Sequence, residues 1–233
     1  MANYLIIGAG KGIGLKTAGL LVSDHSVLTI SRSATPELDA LGTTFLQADV
    51  THPLPADLPE FPDVLHGIVY CPGTINLKPV TRLTSDDFLN DFRQSVIGAV
   101  QVVQRFLPQL RKAEGASVVL FSTVAVTTGM PFHASVASAK GAVEGLTRSL
   151  AAELASARIR VNAIAPSLTD TPLASPLLST PEKREAAARR HPLQRIGTPE
   201  ELAQLAVFLV TPQSSWITGQ IIHADGGMGS LRV

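Results

Sequence analysis

Short apolar runs alternate along the chain with longer stretches in which apolar residues recur every three or four positions. The runs at 4–7, 27–30, 44–47, 64–69, 117–121, 158–164 and 216–222 are rich in Val, Ile and Leu and read as buried strands. Residues 15–22, 86–106, 133–155 and 199–210 have helical spacing, and 173–191 reads as a helical lid. Thr84 and Ser85 before Asp86 and Asp87 form an N-cap with acids in the first turn, and Pro108 is expected to end that helix. Thr198 caps a helix with Pro199 at its first position. Four prolines between residues 51 and 63 (Pro53, Pro55, Pro59, Pro62) predict a short or absent helix there. Strands alternating with helices predict an α/β protein: one Rossmann-type, doubly wound parallel sheet of about seven strands, residues 1–233 forming a single domain.

Composition narrows the class. With 19 Lys+Arg against 19 Asp+Glu and no basic block, neither nucleic acid nor an anionic membrane is an expected partner. Charged residues make up 16%, below the roughly 25% usual for soluble domains, which points to surface buried between subunits. Cys71 is the only cysteine, so no internal disulfide forms, in keeping with a reducing cytosol. Met1-Ala2-Asn3 leads straight into an apolar strand with no basic region or cleavage site, and a cytoplasmic location is expected. The uncharged run 115–139 is broken at Thr127-Thr128-Gly129-Met130-Pro131, leaving pieces shorter than the about 20 residues a membrane span needs.

Candidate chemistry begins where the first strand enters Gly8-Ala9-Gly10-Lys11-Gly12-Ile13-Gly14. A strand, a glycine-rich turn and a helix form a dinucleotide-binding unit: glycines let the backbone approach a pyrophosphate seated on the helix N-terminus. A tight strand–helix turn without a ligand is the competing reading. The second strand ends in Ser31-Arg32-Ser33, where an enzyme using NAD carries a carboxylate for the ribose 2′-hydroxyl. Arg32, with Lys11 in the adjoining turn and no acid, predicts NADP(H) in preference to NAD(H). The run 117–121 ends in the hydroxyl pair Ser122 and Thr123, and a helix carrying Lys140 follows. In a parallel sheet, ligands lie outside the carboxyl ends of the strands.

The Gly-x-x-x-Gly-x-Gly spacing at 8, 12 and 14, together with the strand–hydroxyl–helix segment 117–143, closely resembles the short-chain dehydrogenase/reductase family, over essentially the whole chain. The resemblance implies a nicotinamide cofactor and places its contacts at Gly8, Lys11, Gly12, Ile13, Gly14, Ser31, Arg32, Ser33, Asp49, Val50, Gly73, Lys140, Pro166, Thr169 and Thr171. Asp49 would meet the adenine, Gly73 and Lys140 the ribose, the Thr169 backbone the carboxamide and Thr171 the phosphates. In that family a serine ends the strand and a Tyr-x-x-x-Lys pair follows. Counted back from Lys140, the serine position is Thr123 and the tyrosine position is Val136. Ser95 stands where the family has asparagine, and Tyr70-Cys71-Pro72-Gly73 where it has Asn-Asn-Ala-Gly.

The family's tyrosine protonates a substrate oxygen while lysine lowers its pKa; valine does neither. The candidate catalytic residues are Lys140, Thr123 and His133, the last because an unperturbed imidazole near 6.5 suits proton transfer. A loop histidine at the mouth of the pocket is the competing reading of His133. Three functional classes follow: an NADP-dependent oxidoreductase with altered proton chemistry, a silent NADP-binding sensor or partner subunit, and a non-redox isomerase or lyase. The substrate is not legible. A homo-oligomer is expected, in keeping with low charge and with helices 86–106 and 133–155, whose outer faces carry small or apolar residues. The resemblance implies a tetramer, with these helices pairing across a twofold axis.

Overall fold

The computed structural model describes residues 1–55 and 61–232. Seven parallel strands, β1 (Asn3–Ile7), β2 (Ser26–Ser31), β3 (Thr44–Gln47), β4 (Gly67–Tyr70), β5 (Ser117–Phe121), β6 (Arg160–Pro166) and β7 (Ile221–Ala224), form one sheet in the order β3-β2-β1-β4-β5-β6-β7. Its helices are α1 (Gly12–Leu21), α2 (Pro36–Asp39), α3 (Ser85–Phe92), α4 (Gly98–Lys112), α5 (Ala125–Thr128), α6 (Ala134–Leu154), α7 (Pro181–Ala188) and α8 (Pro199–Val210).

Alternation along β1 shows how the layers form. Leu5 and Ile7 pack with Val102, Phe106 and Leu110 of α4 and with Val143 and Leu154 of α6. Tyr4 and Ile6 point to the opposite face, against Ala18 and Leu21 of α1 and Leu202, Ala206 and Leu209 of α8. A parallel sheet covered on both faces needs strands that are almost continuously apolar, and β1, β4 and β5 are, apart from Asn3 and Ser117 at their first positions. Strand order reverses between β1 and β4, so crossovers leave that junction in opposite directions and open a crevice at the carboxyl ends.

Three expected boundaries move. The helix expected over 86–106 divides at a π-helical turn, Arg93–Ile97, and α4 continues through Pro108 to Lys112. Gln104, whose carbonyl loses its donor at Pro108, is an exposed residue, while Phe106 and Leu110 hold the helix to the core. The last strand begins at Ile221 rather than 216, because Gly219 turns the chain at φ +71° and Trp216 stays 98% exposed. Residues 173–191, expected as one helical lid, instead form a 3₁₀ stretch (Pro172–Leu178) and α7. Both threonine caps form with reciprocal hydrogen bonds, Thr84 with Asp87 and Thr198 with Glu201. No helix is present among the described residues between β3 and β4; residues 56–60, with Pro59, lie outside them. No described helix is long and apolar enough to cross a membrane.

Candidate active site

A cleft of about 380 Å³ occupies the crevice between β1 and β4. Gly8, Lys11, Gly12, Ile13 and Gly14 form its floor, Ser31, Arg32 and Ser33 one end, and Asp49, Val50 and Gly73 the wall, with Thr171 closing over it. The turn is built for close approach. Gly12 sits at φ +59°, and a methyl group on Gly14 would lie 2.4 Å from the Gly8 carbonyl oxygen. Helix α1 has Lys11 at its N-cap with no side-chain cap bond and no acid in its first turn, so its leading N–H groups are left for an anion. Arg32 and Lys11 are both exposed at the mouth. Thr51 donates to Asp49 Oδ1 from its backbone (2.9 Å) and its hydroxyl (2.8 Å), and these bonds hold the Asp49 carboxyl below its usual range. The residues present therefore fit an extended phosphate-bearing dinucleotide.

Pro166, Thr169 and Lys140 are the sequence-predicted cofactor residues that do not line this cleft; Lys140 is buried beside its wall residue Gly73. Pro166 ends β6; Thr169 is buried, its hydroxyl donating to the Ser167 carbonyl at 3.1 Å. Thr171 accepts from Ala174 N–H and caps the 3₁₀ stretch.

Two of the three catalytic candidates, Lys140 and Thr123, lie at the end of β5. Lys140, 7% exposed, donates from Nζ to the Phe121 carbonyl at 2.8 Å. Burial lowers its pKa to about 8, against the opposing pull of Cys71 and Asp91. The hydroxyl pair divides: Ser122 donates to Glu144 Oε1 at 2.8 Å beneath α6, while Thr123 stays at the strand end, accepting from Ala125 N–H at 3.3 Å. Val136 is buried one turn before Lys140. His133 precedes the first residue of α6 with φ −101° and ψ 9°, and its Nδ1 lies 2.7 Å from the Pro131 carbonyl. It is therefore the N-cap residue of α6, its carbonyl accepting from Ala137 N–H at 2.8 Å.

On the flank, sequence reading picked out Tyr70 and Ser95 but missed their pairing and missed Asp91. In the π-helical turn, Gly98 N–H bonds the Arg93 carbonyl, and the Gln94 carbonyl takes the Tyr70 hydroxyl at 2.6 Å instead. Gly98 leaves room for that phenol, since a methyl group there would stand 2.3 Å from it. Burial raises the Tyr70 pKa, so the phenol stays protonated. Ser95 Oγ is buried in the same turn without a partner among the described residues. Asp91, 2% exposed, accepts from Thr74 Oγ1 at 2.5 Å and from Ser135 Oγ. An acid on the inner face of an amphipathic helix was the available signal for it.

A parallel sheet with a dinucleotide cleft at its switch point defines a nucleotide-binding α/β protein. The particular family comes from comparison: residues 8–229 match the family model described as Enoyl-(Acyl carrier protein) reductase. The chain is 32% identical to the 3-oxoacyl-[acyl-carrier-protein] reductase FabG of Thermotoga maritima, across 96% of each. It is 39% identical to a tropinone reductase homologue of Arabidopsis thaliana over 67% of this chain, a match spanning 60% of that protein's length. Among solved structures, a short-chain type dehydrogenase/reductase from Mycobacterium ulcerans superposes with a TM-score of 0.87 at 28% identity, covering 99% of this chain and 90% of that one. Aldohexose dehydrogenase of Thermoplasma acidophilum shares the fold, with a TM-score of 0.88 at 24% identity over 99% of this chain and 95% of that one. The chain belongs to the short-chain dehydrogenase/reductase family.

Proposed function

We propose that this chain is an NADP(H)-dependent oxidoreductase of altered proton-donor chemistry, with residues 1–233 acting as one nucleotide-binding unit. The observation that carries the reading is the dinucleotide cleft whose wall residue Gly73 passes beside Lys140, where a methyl group would lie 3.6 Å from Nζ, with that ammonium fixed on the Phe121 carbonyl. Arg32 and Lys11 would hold the 2′-phosphate, and the α1 N-terminus the pyrophosphate. The bound nicotinamide would supply or accept a hydride. Lys140 would hold its ribose, and the Thr123 hydroxyl would orient a substrate oxygen. With valine at 136, His133 is the side chain we assign to move the proton, after its loop turns the ring inward.

A silent NADP-binding subunit is the second reading, favoured by the Nδ1–Pro131 contact that engages the His133 ring outside the helix. Single-turnover mixing of enzyme-bound NADPH with panels of carbonyl and enoyl substrates separates the two readings. Substrate-dependent loss of the 340 nm band supports the oxidoreductase; a band stable to every panel member supports the silent subunit.

We also propose that the protein assembles as a homo-oligomer, a tetramer, working in the cytoplasm. Leu89 and Phe92 of α3 and Ile97 of the π-helical turn are exposed along one side of the molecule, as expected of a face awaiting a second copy.

A further inference from the structure

Asp91 is a buried carboxylate that the reaction outlined above does not use. It stands on α3 between two other segments: the loop after β4, through Thr74, and the first turn of α6, through Ser135. Each carboxylate oxygen takes one hydroxyl, and the Ser135 hydroxyl also lies 3.2 Å from the Asp87 carbonyl. A buried anion needs a cation.

The nearest chain geometry supplies one. Thr74, bonded to Asp91, directly follows Gly73, whose backbone passes so close to Lys140 that a methyl group on it would lie 3.6 Å from Nζ. Ser135, the other ligand of the carboxylate, is one residue before Val136 on the helix that carries Lys140. We propose that Asp91 is the counter-charge that keeps Lys140 protonated and aimed into the cleft, a positioning residue in a site that has no phenol at 136.

The other groups around the pair do not compete for that role. From the end of β4, Cys71 faces Lys140, but burial pushes its thiol up to about 12, so it is neutral where Lys140 titrates. From β5, Phe121 offers a neutral carbonyl. On α6 itself, Glu144 is engaged by Ser122 and by Arg148. On α3, Asp87 is neutralised by Lys78, which donates to it at 2.7 Å, with Asn76 and Thr84 on the same carboxylate. Asp91 is the carboxylate in Lys140's field.

The test needs no substrate. Lysine labelled with ¹³C at Cε allows Lys140 to be titrated by NMR in the cofactor-free protein, its signal assigned by its loss in Lys140→Arg. Asp91→Asn, which keeps the shape, should lower the Lys140 midpoint by about one unit, and Asp91→Glu should restore part of it. An unchanged midpoint in Asp91→Asn overturns the proposal. Should Asp91→Asn fail to fold, Lys140→Met reads the same coupling from the other side. The ¹³C-carboxyl signal of Asp91 should then titrate at higher pH than in the wild type, and an equal midpoint overturns it.

The role in the nucleotide site, which rests on the function proposed above, is read from NADPH affinity against pH. With the midpoint falling from about 8 by one unit, Asp91→Asn should bind about fivefold more weakly at pH 8 and equally at pH 6, where Lys140 is charged in both proteins. A structural acid would weaken binding equally at both pH values, which would overturn the positioning role. If neither protein binds NADPH at all, the function proposed above fails while the NMR midpoints still decide the pairing.

Discussion

The Lys140 ammonium donates to the Phe121 carbonyl at 2.8 Å, tying the middle of α6 to the last residue of β5. One of its three donors is thus spent on the scaffold. Burial costs the charged form stability. Because the folded pKa of about 8 lies below the ordinary 10.5, the unfolded chain binds more protons between those values, and stability rises with pH across that window. Lys140→Met should therefore be more stable than the wild type at pH 7, by ~1–3 kcal/mol after the lost Phe121 bond is set against the relief. The gap should close as pH approaches 10.5. Chemical denaturation at pH 7 and 10 checks this, and a variant less stable by the same amount at both values contradicts it.

Cofactor preference depends on the exposed pair Arg32 and Lys11 at the end of β2. NADPH should bind at least about tenfold more tightly than NADH, a few kcal/mol of arginine–phosphate contact less the solvent competition at an open site. Arg32→Ala should remove most of that preference and leave NADH affinity unchanged. Calorimetric titration of both cofactors decides it, and equal wild-type affinities would sink the assignment.

Gly14 allows α1 to start directly under the Gly8 carbonyl. In Gly14→Ala the new methyl meets backbone rather than a side chain that can swing away, so the turn itself must shift. We expect a loss of ~1–3 kcal/mol in stability and at least about tenfold in NADPH affinity. Unfolding midpoints and cofactor titrations like those of the wild type would contradict the close packing.

The proton source can be tested at two positions. His133→Ala should cut turnover of the true substrate by about 10²–10⁴-fold and leave NADPH affinity nearly unchanged. Val136→Tyr places a phenol one turn from Lys140 and should gain weak reduction of simple ketones, which the wild type should lack. Steady-state rates with a ketone panel are the measurement. Robust wild-type ketone reduction that survives His133→Ala would overturn the altered chemistry.

Assembly is expected to use the exposed Leu89, Phe92 and Ile97. Light scattering at micromolar concentration should find about four times the 24.5 kDa chain mass, and Ile97→Glu should shift it toward smaller species. A monomer alone in the wild type would refute the tetramer.

Local signals made much of this protein legible. The alternation of apolar runs with helical spacing identified the seven strands, because a sheet buried on both faces leaves few polar positions to blur them, Thr29, Arg160 and Asn162 among them. Gly12 and Gly14 marked the cofactor turn, since one needs a left-handed backbone and the other has no room for a side chain. The spacing of Val136 and Lys140 on one helix was readable by counting. Tertiary packing decided the rest. Nothing local says that Ser122 turns under α6 to Glu144 while Thr123 remains at the strand end. The Tyr70 hydroxyl meets the Gln94 carbonyl across 24 residues of chain, and Ser135 meets Asp91 across 44. Periodicity records which face a residue turns inward. Which buried donor then finds which acceptor depends on how two elements distant in sequence are pressed together, and only the fold brings them within hydrogen-bonding reach.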